Sequence, residues 1–127
     1  MRHYLEFTTE GEILEHKTQS TEFISTEFID YKFIESIIWN NTTFIILFNQ
    51  NEKITKNKNN NNQLKLNLTS LPFYKKNIYG NFLLFVIDSI NNIKSLTENK
   101  FLKFLNKHKK DLQDIEDYSS DDFNLSE

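Results

Sequence analysis

The sequence predicts an α+β domain: five or six mainly antiparallel strands, one C-terminal amphipathic helix and an acidic, flexible tail. Three observations carry that expectation. Short runs rich in Ile, Phe and Thr are punctuated by Gly, Pro and Asn, as strands and turns require. One stretch near the C-terminus has helical spacing and a marked start. Beyond Lys110 every charged residue is acidic.

The elements follow in order. Residues 3–8 alternate as a strand, Thr9-Glu10-Gly11-Glu12 forms a turn, and Ile13 to Lys17 pairs back. Residues 20–34 contain a five-residue period, with Glu-Phe-Ile at 22–24 and 27–29 and Lys-Phe-Ile at 32–34. Five matches neither the helical 3.6 nor the strand's 2, so the period reads as chance in a narrow alphabet. The β-branched and aromatic content of this stretch favours strands broken near Asp30. Glu35–Trp39 and Phe44–Phe48 flank Asn40-Asn41-Thr42-Thr43 and make the clearest hairpin, because Asn tolerates left-handed φ. The unbroken run 44–48 indicates a strand buried on both faces.

Residues 49–63 form a Lys/Asn tract with little apolar surface to offset ordering entropy, which suits a mobile surface loop. Gln63 to Leu68 alternates as a half-buried strand, and Pro72 ends it. Phe82–Asp88 reads as a central strand, with Asn91-Asn92 turning the chain. Ser95-Leu96-Thr97-Glu98 fits a capping box, with Thr97 as the alternative cap. Phe101, Leu105, His108, Leu112 and Ile115, widened by Leu102 and Phe104, give the apolar stripe of a helix over 96–112.

The 127 residues fit one domain, 1–110, followed by the tail 111–127. Twelve Phe and five Tyr can build its core. Ala and Cys are absent and Arg occurs once, whereas Lys, Asn, Ile and Phe abound, the signature of an A/T-rich genome. Lack of Cys excludes disulfides, thiolate metal sites and a Cys nucleophile. The N-terminus lacks a signal-peptide core, and the longest apolar run, Phe82–Ile87, falls far short of the roughly 20 residues that span a bilayer. A soluble, intracellular chain, in cytoplasm or nucleus, is the expectation. Fifteen basic residues face 11 acidic ones through Lys110, and seven acids with no base follow. A mildly basic body thus carries an acidic tail.

No residues form a recognisable catalytic, cofactor or metal motif. His3, His16 and His108 lie far apart, and His16 with Glu12 and Glu15 reads as a solvated acidic turn rather than a metal site. Asp88 follows a buried strand but precedes Asn91-Asn92, which suits a turn. Gly11 and Gly80 are too few to cradle a phosphate.

The order Leu71-Pro72-Phe73, Ile78-Tyr79-Gly80-Asn81, a hydrophobic strand, Asp88, Ser95-Leu96-Thr97 and Phe101-Leu102-Lys103-Phe104-Leu105 resembles short uncharacterised proteins of large, A/T-rich DNA viruses. It covers roughly residues 64–106. The resemblance implies a fold element, with no activity and no functional residues to carry over.

Two functions lead, and an enzyme would need a site assembled from unremarkable residues. The first is a non-catalytic protein-interaction or assembly module without a cofactor, in which helix and tail meet an unknown protein partner through Leu112, Ile115, Tyr118, Phe123 and Leu125. These residues alternate with acids as in acidic-hydrophobic recognition segments, and Ser119 and Ser120 precede acids as an acid-directed kinase requires. The alternative is a single-stranded nucleic-acid binder using Lys75, Lys76 and Tyr79, with Phe73 and Tyr74 nearby for stacking.

Overall fold

The apolar runs pair into one antiparallel sheet in a computed structural model, which describes residues 1–51, 65–69 and 71–109. Strands β1 (Arg2–Phe7) and β2 (Ile13–Thr18) form the first hairpin. Its turn is closed by the Gly11 N–H donating to the Thr8 carbonyl, and Gly11 takes φ +87° there at little cost. β3 (Phe33–Trp39) and β4 (Thr42–Phe48) form the second hairpin. Asn40 and Asn41 alone make its turn, with φ 52° and 59°, so β4 begins two residues earlier than the Asn-Asn-Thr-Thr reading gave, while β3 ends at Trp39 as expected. Positive φ at both central positions is the type I′ geometry that follows strand twist.

β5 (Gln50–Asn51) pairs with β6 (Ile78–Tyr79) in a small separate ribbon. β7 (Phe82–Ile87) enters between β1 and β4, and β8 (Ile93–Lys94), absent from the sequence reading, folds back on its end. The main order is β2-β1-β7-β4-β3, with β8 added to β7 beside the start of β1. Asp88 is the turn residue the sequence indicated: its Oδ1 accepts from the N–H groups of Ile90 and Asn92.

β4 and β7 alternate between two buried layers, which explains their unbroken hydrophobicity. Leu5, Phe7, Phe44, Ile46, Phe48, Phe82, Leu84 and Val86 face helix α1 (Glu98–Lys107) and Leu71. Ile45, Leu47, Leu83, Phe85 and Ile87 face the opposite way, toward Phe28 and Ile93. The strands expected over 20–29 do not form. That stretch is an irregular crossover with a 3-10 turn at Thr26–Phe28, running from β2 at one edge to β3 at the other. It closes the second layer with Phe23, Phe28 and Tyr31, and Phe28 meets Tyr4 and Phe85 edge-on at 5.4 and 5.1 Å.

The strand expected over 63–68 shrinks to one bridge, Leu66 with Tyr79, and its alternation is inverted. Gln63 and Leu64 lie outside the described residues. Leu66 and Leu68 face solvent, while Asn67 is buried. The Asn67 amide donates to the carbonyls of Phe7 (3.1 Å) and Gly80 (2.9 Å), and its Oδ1 accepts from the Thr69 N–H (3.0 Å). Two strand ends bring their carbonyls together there, and a side-chain amide donates to both where Leu could donate to neither.

Helix α1 starts two residues later than expected. Thr97, not Ser95, caps it by accepting from the Lys100 N–H at 3.1 Å. Ser95 Oγ instead binds the His3 backbone N–H and lies 2.8 Å from its Nδ1. The helix buries Phe101 and half-buries Phe104 and Leu105, whereas Leu102, expected to widen the stripe, is exposed. Helix α1 ends at Lys107 with His108 as its C-cap, short of the end expected at 112, and Leu112 and Ile115 lie outside the described residues. Among the described residues no helix is long and apolar enough to cross a membrane.

Candidate interaction surface

The five-residue period sorts side chains by depth. Phe28 is buried, and Phe23 and Phe33 are half-buried against the two cores. The isoleucine after each Phe points outward: Ile24, Ile29 and Ile34 are 69%, 71% and 50% exposed. Phe23 and Phe28 are drawn down by the second layer, so the next side chain in an irregular chain faces away. Ile34 shares that outer face through strand alternation, and Ile38, 74% exposed, lies on it two repeats further along, beyond Ser36. A groove of about 400 Å³ is walled by Ile24, Ile29 and Ile34 and floored by Phe28 and Leu47, with Ile38 outside its lining. Tyr31 stands in its wall, with its hydroxyl pKa raised first by burial and then by Glu6 and Asp30, so it stays a neutral group at physiological pH. Sequence reasoning missed this surface. The phase of the period was the signal, since it pairs each Phe that can anchor the chain with an Ile that cannot follow it inward.

β3 is also an edge. No strand pairs with its outer side among the described residues. Strand edges are normally blunted by Lys, Pro or a bulge. β3, Phe-Ile-Glu-Ser-Ile-Ile-Trp, carries one charge, Glu35, whose Oε1 sits 3.9 Å from Lys76 Nζ. The opposite edge, β2, carries Glu15, His16 and Lys17.

Of the residues singled out for nucleic acid, Tyr74, Lys75 and Lys76 line one groove, while Phe73 and Tyr79 lie outside it. Lys75 and Lys76 are exposed at this groove, of about 290 Å³, bounded by Leu66–Thr69 and Ile78. Tyr79 is half-buried in β6 outside that lining. Phe73 is stacked in the core at 4.5 Å from Phe44 and 5.4 Å from Trp39. Tyr74 packs against the same core, its pKa pushed up to about 12 by burial and by Glu35.

The three histidines occupy separate places. His3 meets Ser95, and His16 Nε2 lies 2.7 Å from Glu6 Oε1 across the β1–β2 hairpin rather than beside Glu12 and Glu15. His108 packs on Trp39 and Phe104. Among the described residues no three His, Asp or Glu side chains gather as metal ligands would. A third groove, about 270 Å³, lies between α1 and the sheet and is lined by Phe44, Val86, Leu96, Phe101 and Phe104 with Lys94 and Lys100 at its rim. Leu112, Ile115, Tyr118, Phe123 and Leu125, the tail residues expected to bind a partner, lie outside the described residues, as do Ser119 and Ser120. The chain matches no protein family, no characterised protein and no solved structure.

Proposed function

We propose that this chain is a non-catalytic protein-interaction module whose contact surface is the isoleucine face and free edge of β3. One observation carries the reading: Ile24, Ile29 and Ile34 stand at least half exposed around one apolar groove, and Ile38 is exposed further along the same face of β3. Scattered single apolar residues are ordinary on a surface, but contiguous apolar patches mark places where another molecule sits. The helix offers less, since its outer side carries Lys100, Lys103, Asn106 and Lys107 around a lone Leu102. The acidic tail then serves as a second contact, adding charge that suits a basic partner.

The test uses the full chain as bait in lysate of its source cell, with Ile29→Lys and Ile34→Lys compared against wild type. Both substitutions should leave thermal stability nearly unchanged and strip the specifically retained protein. Retention of the same protein at the same level by both variants would refute the surface. Deleting 111–127 in parallel should weaken retention without abolishing it.

A further inference from the structure

We propose that β3 pairs with β3 of a second copy of this chain, antiparallel and centred on Ser36. The inference rests on the interaction reading above and names the partner for its edge.

The parity of the strand supports it. In a two-residue hairpin the residues flanking the turn exchange hydrogen bonds, and such pairs then alternate along the ladder. Trp39 and Thr42 flank the turn, so Trp39, Ile37, Glu35 and Phe33 bond to β4. Ile38, Ser36 and Ile34 therefore turn their N–H and C=O groups away from β4, toward the side that has no strand partner among the described residues. The same three residues carry the exposed side chains of the strand.

The strand is self-complementary about its middle. Placing Ser36 opposite Ser36 of the second copy sets Ile34 against Ile38 and Phe33 against Trp39. All three outward residues then exchange main-chain bonds, roughly six across the dyad. A slip of one residue would set outward-bonding positions against inward-bonding ones and exchange the faces. A slip of two would leave one residue of each copy unpaired. Glu35 falls opposite Ile37, about 7–8 Å on the diagonal from its own counterpart, and Lys76 offsets part of that like-charge contact.

Size sets the strength. Seven residues at ~3.4 Å each make an edge about 24 Å long, and two side-chain layers make it ~20 Å deep. That is on the order of 500 Å² per copy, at the lower limit for specific association. The dimer is therefore reversible. It also places Ile38 of the second copy beside Ile34, which extends the isoleucine face across both chains.

The chain has no cysteine, so Ser36→Cys introduces a single thiol. Across a bonded antiparallel pair the Cα atoms lie ~5.5 Å apart, within disulfide reach. Dioxygen, accepting two electrons and two protons from the two thiols, should convert Ser36→Cys to a covalent dimer. Ile38→Cys should not cross-link, because its counterpart lies about four residues further along. In sedimentation, wild-type mass should rise with concentration from 15.2 kDa toward twice that value. Ser36→Pro, which removes only an outward N–H, should stay monomeric with its circular dichroism unchanged, and Ile38→Lys should do the same. A wild type that stays monomeric, or equal cross-linking of Ser36→Cys and Ile38→Cys, overturns the pairing. If the pairing fails while Ile29→Lys and Ile34→Lys still lose a captured protein, the interaction reading stands and only this partner is wrong.

Discussion

Phe28 and Ile29 are adjacent in one irregular segment, yet their truncations should differ severalfold. Phe28 is 5% exposed and meets the rings of Tyr4 and Phe85 edge-on, whereas Ile29 is 71% exposed. Phe28→Ala removes a buried ring and opens a cavity beneath the crossover, against Tyr4 and Phe85. Such changes cost about 3–5 kcal/mol, a large share of the roughly 5–15 kcal/mol that holds a domain folded. At roughly 3–5 °C per kcal/mol for a chain of this size, Tm should fall by roughly 10–20 °C. Ile29→Ala should stay within about 0.5 kcal/mol, as exposed substitutions do. Urea titrations followed by far-ultraviolet circular dichroism measure both. Equal losses at the two positions would refute the assignment of Phe inward and Ile outward, and with it the origin of the apolar face.

Three further outcomes follow from the same packing. Asn67→Leu should cost about 1–3 kcal/mol despite its added apolar surface, because it removes the buried amide that donates to the carbonyls of Phe7 and Gly80; chemical denaturation reads it, and a neutral result would contradict that pairing. Thr97→Ala should cost about 1 kcal/mol through loss of the helix cap, measured as a shift in the urea midpoint; no shift would return the cap to Ser95. Tyr74 has its folded-state pKa raised from 10.0 to about 12, so the stability it contributes is complete below pH 10 and is lost as pH climbs toward 12. Tyr74→Phe should therefore flatten the fall in Tm over that interval, and an unchanged slope would show that Tyr74 ionises freely in the folded protein.

The fold class was legible because local and global signals agree. Asn40-Asn41 between β-rich runs announces a tight hairpin, and the runs Phe44–Phe48 and Phe82–Ile87 can only be strands covered on both faces. Legibility failed where tertiary demands overrode pattern. Residues 20–31 have strand composition, but the second face of the sheet needed a lid, and an irregular chain can drop Phe23, Phe28 and Tyr31 onto it. Asn67 sits at a polar position of a clean alternation and is buried because two carbonyls converge there, a need visible only in space. Ser95 matches a capping box in sequence, yet His3 from the other end of the chain claims its hydroxyl. The isoleucine face was hidden for a similar reason. A period of five belongs to no regular element, so its meaning depends on what lies beneath it.

Amide hydrogen exchange along β3, resolved residue by residue in the free protein and in the complex it forms, addresses the contact surface most directly. In free monomer, Phe33, Glu35, Ile37 and Trp39 should be protected by β4, while Ile34, Ser36 and Ile38 exchange at rates near those of an open chain. Complex formation should slow those three and leave the other four unchanged. Uniform protection in the free protein, or three outward amides that stay fast in the complex, would mean that the β3 edge is not where this chain meets its partner.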